Sequence, residues 1–367
     1  MPRVAHPPCQ AGIVLPRRVA LVPLALAAAL VVGCAPVDRA AQTPAPALPS
    51  EAAPSPSPTP DLEPVRAFDG DCDQMLTSEQ RDELLGAGSL TSAEQYRVWD
   101  ADRPVVVDVD PIGTLGGPAC TWFAGDGADL PEGVATLTAT VVPAAEVTNE
   151  FAARYSVATC EPNYDSTNCR LGQVFGDVWV GASAGWGPVE EAPDELLRAA
   201  VDAVAANLSA ATQPRRAGAT DDVWSIPDCA DLGEAVELEE LIGPYQHGYW
   251  EGSEQPEEVL LAATGVFRAC PLFSDSERMD ESDEFRIFAP QVAPGLGWQW
   301  LELRAQAAES TLVEMDVAGA ADAFAADWGH GSTKVFATDG TNVVSVYESD
   351  LDLAAEVLSR MITALSS

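Results

Sequence analysis

Asp71-Cys72-Asp73-Gln74-Met75-Leu76-Thr77-Ser78-Glu79-Gln80-Arg81-Asp82-Glu83-Leu84-Leu85-Gly86 is the stretch on which the reading of the fold turns. It has a counterpart, Asp228-Cys229 followed by Leu241-Ile242-Gly243, with the glycine again fourteen residues after the cysteine. Thr77 and Gln80 have the spacing of a capping box, and Gly86 and Gly243 are natural helix stops, so a short helical stretch is expected in each copy. Internal repetition of this kind means duplicated structural units.

Two further matches follow in the same order. Ala119-Cys120-Thr121-Trp122-Phe123 corresponds to Ala269-Cys270-Pro271-Leu272-Phe273, and Phe151-Ala152-Ala153-Arg154-Tyr155 to Phe324-Ala325-Ala326-Asp327-Trp328. Each copy closes on an amphipathic helix, with Leu197, Val201, Val204 and Leu208 in the first and Leu353, Val357, Met361 and Leu365 in the second. Spacings of three and four put these groups on one helical face.

Strand patterns fill the intervals. Leu137, Ala139 and Val141 alternate with threonines, and Val178-Trp179-Val180 and Val343 to Tyr347 are rich in β-branched and aromatic residues. Trp298, Trp300, Glu302 and Arg304 alternate with Gln299, Leu301, Leu303 and Ala305 and are read as a further strand. The expected class is α+β, two tandem domains, each an antiparallel sheet covered by helices. The domains run from 65 to 212 and from 222 to 367, joined by a linker at 213–221.

The first 64 residues have a different character. Arg3, Arg17 and Arg18 precede fifteen apolar residues, 19–33, with no acid among the first 33. That is a signal-peptide pattern, and the apolar run is short for a membrane span. Arg17-Arg18 fits the twin-arginine motif poorly, which favours ordinary secretion. Val31-Val32-Gly33-Cys34 resembles the lipobox of bacterial lipoproteins, in which the cysteine is acylated and becomes the new N-terminus. The resemblance implies lipidation at Cys34, an anchor in the membrane, and a chain held on the outer face of the cytoplasmic membrane. Residues 34–64 carry nine prolines among alanine, serine and threonine, a disordered tether reaching about 90 Å at 3.1 Å per residue.

Loss of residues 1–33 leaves 16 basic and 57 acidic residues, a net charge of −41, with Lys334 the single lysine of the chain. A field of that sign repels phosphate backbones, so nucleic acid is not an expected partner. Beyond Cys34 there are six cysteines, Cys72, Cys120, Cys160, Cys169, Cys229 and Cys270. In an exported chain an even number reads as a disulfide set, with fifteen pairings open.

The leading cysteine before a short helix, followed by Cys120-Thr121-Trp122 or its equivalent about forty to fifty residues on, resembles actinobacterial cell-envelope lipoproteins whose soluble domain has no assigned function. Related small lipoproteins have a PsbP-like sandwich. Leu272 stands where that pattern has tryptophan. The resemblance brings no catalytic residues. If the repeat holds, it implies Cys72–Cys120 and Cys229–Cys270 as equivalent bridges and Cys160–Cys169 as a local clasp. The long loops are then worth roughly 4 kcal/mol each and the short one about 2–3 kcal/mol.

Catalytic and metal motifs are weak. Gly181-Ala182-Ser183-Ala184-Gly185 matches a nucleophile elbow, with Asp222 and His247 or His330 as nominal partners, but Trp186-Gly187-Pro188 follows where a helix is needed. Asp69, Asp71 and Asp73 alternate as in a calcium loop, yet Gln74 and Gln80 occupy the sixth and twelfth positions, where glycine and glutamate belong. The acids from Asp275 to Glu284 read as a solvated loop. His247 and His330 lack zinc spacing, and no P-loop or dinucleotide fingerprint occurs, so neither a metal nor a cofactor is expected. Tyr249 and Trp250 are the candidate binding aromatics.

The function expected is a non-catalytic surface lipoprotein that binds an unidentified envelope component or protein partner. The alternatives are a solute-binding lipoprotein of a transporter and a serine hydrolase.

Overall fold

The structure is a computed structural model that describes residues 63–99, 106–125, 127–163, 166–188, 191–218, 220–249, 254–279, 285–309, 311–329 and 332–367. The stretch expected to be a signal peptide, Cys34, all but the last two residues of the expected tether, Trp250 and His330 lie outside these residues. In the first half the order is α1 (Cys72–Met75), α2 (Ser78–Leu85), β1 (Leu90–Thr91), α3 (Ser92–Trp99), α4 (Pro111–Thr114), β2 (Ala119–Phe123) and β3 (Val134–Pro143), then α5 (Asn149–Arg154), β4 (Thr159–Asn163), β5 (Ser166–Phe175), β6 (Val178–Trp186) and α6 (Asp194–Leu208). In the second it is α7 (Cys229–Ala235), α8 (Leu238–Ile242), β7 (Tyr245–His247), α9 (Pro256–Thr264), β8 (Arg268–Ala269), β9 (Leu272–Ser274), β10 (Ile287–Phe288) and β11 (Gln291–Ala293), then α10 (Trp300–Ala308), β12 (Leu312–Glu314), β13 (Asp322–Gly329), β14 (Ser332–Thr338), β15 (Val343–Tyr347) and α11 (Leu351–Leu365).

Two six-stranded sheets form, in the orders β1-β2-β3-β6-β5-β4 and β12-β13-β14-β15-β11-β8, and a small sheet β10-β9-β7 flanks the second. Every pairing is antiparallel. The class is α+β. Read backwards, the second large sheet superimposes its order on the first: β8, β11, β15, β14 and β13 stand where β2, β3, β6, β5 and β4 stand.

Local chemistry accounts for the matching ends. Thr77 and Gln80 form the capping box, with the Gln80 amide donating to Thr77 Oγ1 at 3.3 Å and the Thr77 amide donating to Gln80 Oε1 at 2.9 Å. Asp71 caps α1 and Asp228 caps α7, each accepting an amide two residues on at 2.9 Å. Gly86 and Gly243 end α2 and α8 with φ of 81° and 78°, a conformation that excludes most side chains.

The terminal helices bury one stripe each. Leu197, Ala200, Val201, Val204 and Leu208 of α6 close a core with Leu137, Ala139, Val141, Leu171 and Val180. Ala354, Val357, Leu358, Met361 and Ile362 of α11 do the same over Val335, Ala337, Val344 and Val346. A third core lies between the halves, where Val107, Ile112, Leu115, Val142 and Trp179 of the first meet Leu261, Leu296, Trp300, Phe324 and Phe336 of the second.

Two expectations are corrected. The stretch from Trp298 to Ala305 is not a strand: Leu296–Gln299 is a 3-10 turn and Trp300–Ala308 is helix α10. Trp300, Leu303 and Ala307 recur at helical spacing and are buried, and Gln299 turns inward to accept a hydrogen bond from the Asp110 amide at 2.8 Å. The match of Phe151 with Phe324 is a likeness of letters only. Thr148 caps the helix that holds Phe151, whereas Phe324 sits in β13 opposite Phe336. The counterpart of α5 in chain order is α10.

The disulfides are Cys72–Cys120, Cys160–Cys169 and Cys229–Cys270. Three bridges among the described residues point to an oxidising, extracytoplasmic compartment. Among the described residues, no helix is long and apolar enough to cross a membrane.

Candidate functional site

An open groove of about 520 Å³ lies on the second half. Its walls come from Phe285, Arg286 and Ile287 around β10, from Ser332 and Thr333 at the start of β14, and from Tyr347 to Asp350 between β15 and α11. The volume lies within the range of small-ligand and peptide clefts. Phe285 and Ile287 are exposed on the rim, at 41% and 62%. Arg286 is held by Glu348 at 3.1 Å, and Asp350 caps α11 through the Leu353 amide. Arg286, Glu348 and Asp350 are therefore held in place by the fold, and Ser332 and Thr333 add hydroxyls to the lining.

Tyr347 joins this groove to a buried polar cluster. Its ring meets Trp328 edge-on, with centroids 5.1 Å apart. Lys334 Nζ donates to the Tyr347 hydroxyl at 3.1 Å and to Asp108 Oδ1, and the cation lies 4.4 Å from the Tyr347 ring centre. Lys334 is wholly buried, so desolvation pushes its ammonium below the usual lysine range while Asp108 opposes the shift. Burial, and then the Asp108 charge, push the Tyr347 hydroxyl up. Tyr347 therefore stays a neutral hydrogen-bonding group at physiological pH.

A second polar cluster lies between β5 and α9. Arg170 holds Glu257 with two bonds, 2.9 Å from Nε and 2.7 Å from Nη2, and Gln255 accepts from Asn168 at 3.3 Å. Trp179 lies flat across Gly172 and Gly181, where an added Cβ would come within 2.2 Å of its ring. A narrow slot remains, bounded by Thr140, Trp179, Ser183 and Leu260.

That slot decides the fate of the serine motif. Ser183 sits in mid-strand, paired with Thr138 on one side and Arg170 on the other, and β6 runs on to Trp186. No elbow forms. His247 lies on β7 beside the Cys229–Cys270 bridge, and the Asp222 carbonyl accepts from Asn342, so neither nominal partner shares the slot with Ser183.

Tyr249 is half-buried and donates to Glu258 at 2.6 Å, which ties it to the first turn of α9. Burial and this bond raise its hydroxyl pKa. Trp250 beside it lies outside the described residues. The acids of the calcium-like loop are engaged elsewhere: Asp71 caps α1, and Asp73 pairs with Arg81 at 3.1 Å. Asp275 accepts from Gln246 at 3.0 Å, and the acids from Asp280 to Glu284 lie outside the described residues. Among the described residues no group of three histidine, cysteine or acidic side chains is placed to hold a metal ion.

Sequence reasoning passed over Lys334, Asp108, Arg170, Glu257, Phe285 and Ile287. One signal was available: the single lysine of an acidic chain stands two residues from Phe336, on the same face of a strand. A scan of protein-family models, a search of curated proteins and a search of solved structures each find no match to this chain.

Proposed function

We propose that this chain is a lipid-anchored, extracytoplasmic binding protein that offers the groove beside β10 to an envelope component or a protein partner. The observation that carries this reading is that exposed Phe285 and Ile287 line an open groove together with the paired side chains of Arg286 and Glu348. Exposed apolar residues at the edge of a cleft serve as anchors for a partner. The leader ending at Cys34, the proline-rich stalk and the disulfide set support export and tethering, as the resemblance to envelope lipoproteins implies.

The solute-binding alternative calls for two α/β lobes with crossover helices, whereas both large sheets are antiparallel throughout. The hydrolase alternative has lost its elbow. Site-specific photocrosslinkers at Ile287 and, as control, at Val174 on the first half, test the binding reading in native envelopes. Both positions are exposed, at 62% and 54%. A discrete adduct from 287 and none from 174 is expected. Equal labelling from both positions defeats it. Mass spectrometry of the mature N-terminus tests Cys34, with a diacylated or triacylated cysteine expected.

A further inference from the structure

Each half sends one segment across to the other's sheet. In the first half, the segment between α3 and β2 carries Val107, Asp108, Ile112 and Leu115. Its apolar residues join Phe324 and Phe336 on the outer face of the second sheet and Trp300 of α10, and Asp108 reaches Lys334 on β14. Three further contacts tie it down. The Asp110 amide donates to Gln299, Trp298 Nε1 donates to Thr114 Oγ1 at 3.2 Å, and Arg66, itself paired with Asp110 at 2.8 Å, lies over the Trp298 ring.

In the second half, the segment between α8 and β8 carries Gln255, Glu257 and Leu260. Glu257 reaches Arg170 on β5, and Leu260 closes the slot beside Trp179 on the outer face of the first sheet.

The two arrangements are equivalent. Both segments lie between the glycine-stopped helix of their half, α2 or α8, and its second long-bridge cysteine, Cys120 or Cys270. Strands β5 and β14 hold the same place in the two sheet orders. Arg170 and Lys334 both project from the outer face of these strands, and both are buried, at 8% and 0%. Each buried cation is thus neutralised by a carboxylate that the opposite half supplies. Neither outer face is covered by its own half alone.

We infer that these segments are reciprocal straps that fix the two halves as one body without a working hinge. Separating the halves exposes the apolar surface of the shared core and breaks both cross-half ion pairs at once, whereas removing one carboxylate with the halves still joined leaves a buried cation uncompensated. The chain therefore presents its groove on a rigid frame, and a partner meets a preformed surface rather than closing lobes.

The test is to cut the connection in the folded full-length chain. Gly218 faces open space, so a specific protease site placed after it is accessible. After cleavage, the halves are expected to co-elute at the mass of the intact protein in native buffer. Halves that part on cleavage in buffer overturn the inference, and this arm needs no strap variant to fold. The same cleavage in the Asp108→Asn, Glu257→Gln double variant is expected to release the halves at a lower urea concentration. If its halves hold together as firmly as the wild type, the straps are not what locks them.

Discussion

Lys334 and Asp108 illustrate how unequal the two ends of one ion pair can be. The lysine side chain has no exposure and the aspartate side chain keeps 45% of its own. Neutralising the aspartate leaves an ammonium in an apolar seam beside Phe336 and Tyr347. Neutralising the lysine leaves a carboxylate that water already reaches. Asp108→Asn is therefore expected to lower the unfolding free energy by about 3 kcal/mol, the usual cost of breaking a buried pair from one side. Lys334→Met, which fills the same volume with an apolar chain, is expected to change it by less than about 1 kcal/mol or to raise it. Urea titrations of both variants check the order, and equal losses refute the assignment. The first pair of residues to look for in the sequence was this one, yet only one partner was conspicuous. Asp108 is one of 57 acids, and nothing in its neighbours announces that it ends up 226 positions away, against the only lysine.

At the scale of elements, α10 shows where periodicity misleads and how to tell. As a strand, Leu301 and Leu303 would share a face; as a helix they do not. Leu301 is 80% exposed and Leu303 is fully buried. Leu301→Glu is expected to change stability by no more than about 0.5 kcal/mol, as surface substitutions do. Leu303→Ala is expected to cost about 2–4 kcal/mol. Thermal melts of the two variants check this, and comparable losses speak for a strand. The capping box at Thr77, the glycine stops, the terminal amphipathic stripes and the strands around Leu137, Val178 and Val343 were legible because each rests on neighbours within a few residues. The helix at Trp300 was not, because two tryptophans and alternating polarity imitate a strand until the inward turn of Gln299 toward the other half is known. Phe151 and Phe324 failed for a related reason, since identical letters were placed in different backbones by a cap in one case and a cross-strand partner in the other. The groove was illegible altogether: its walls are drawn from 285–287, 332–333 and 347–350, which only the sheet packing brings together.

For the whole molecule, the shared core makes a statement about cooperativity. The Cys72–Cys120 bridge closes a loop of 48 residues and the Cys229–Cys270 bridge one of 41, each worth roughly 4 kcal/mol in the chain-entropy picture. In a chain of two independent domains, removing one bridge would lower one of two melting steps and spare the other. Here Val107, Ile112 and Leu115 of the first half are buried among Trp300, Phe324 and Phe336 of the second, so unfolding either half strips the other of part of its own cover. A scanning calorimeter is expected to record one transition for the wild type, with calorimetric and van 't Hoff enthalpies equal. The Cys72→Ala, Cys120→Ala variant and the Cys229→Ala, Cys270→Ala variant are each expected to shift that single transition downward as a whole. Two resolved transitions, with only one of them moved by each variant, would show that the halves melt separately and that the core between them contributes little.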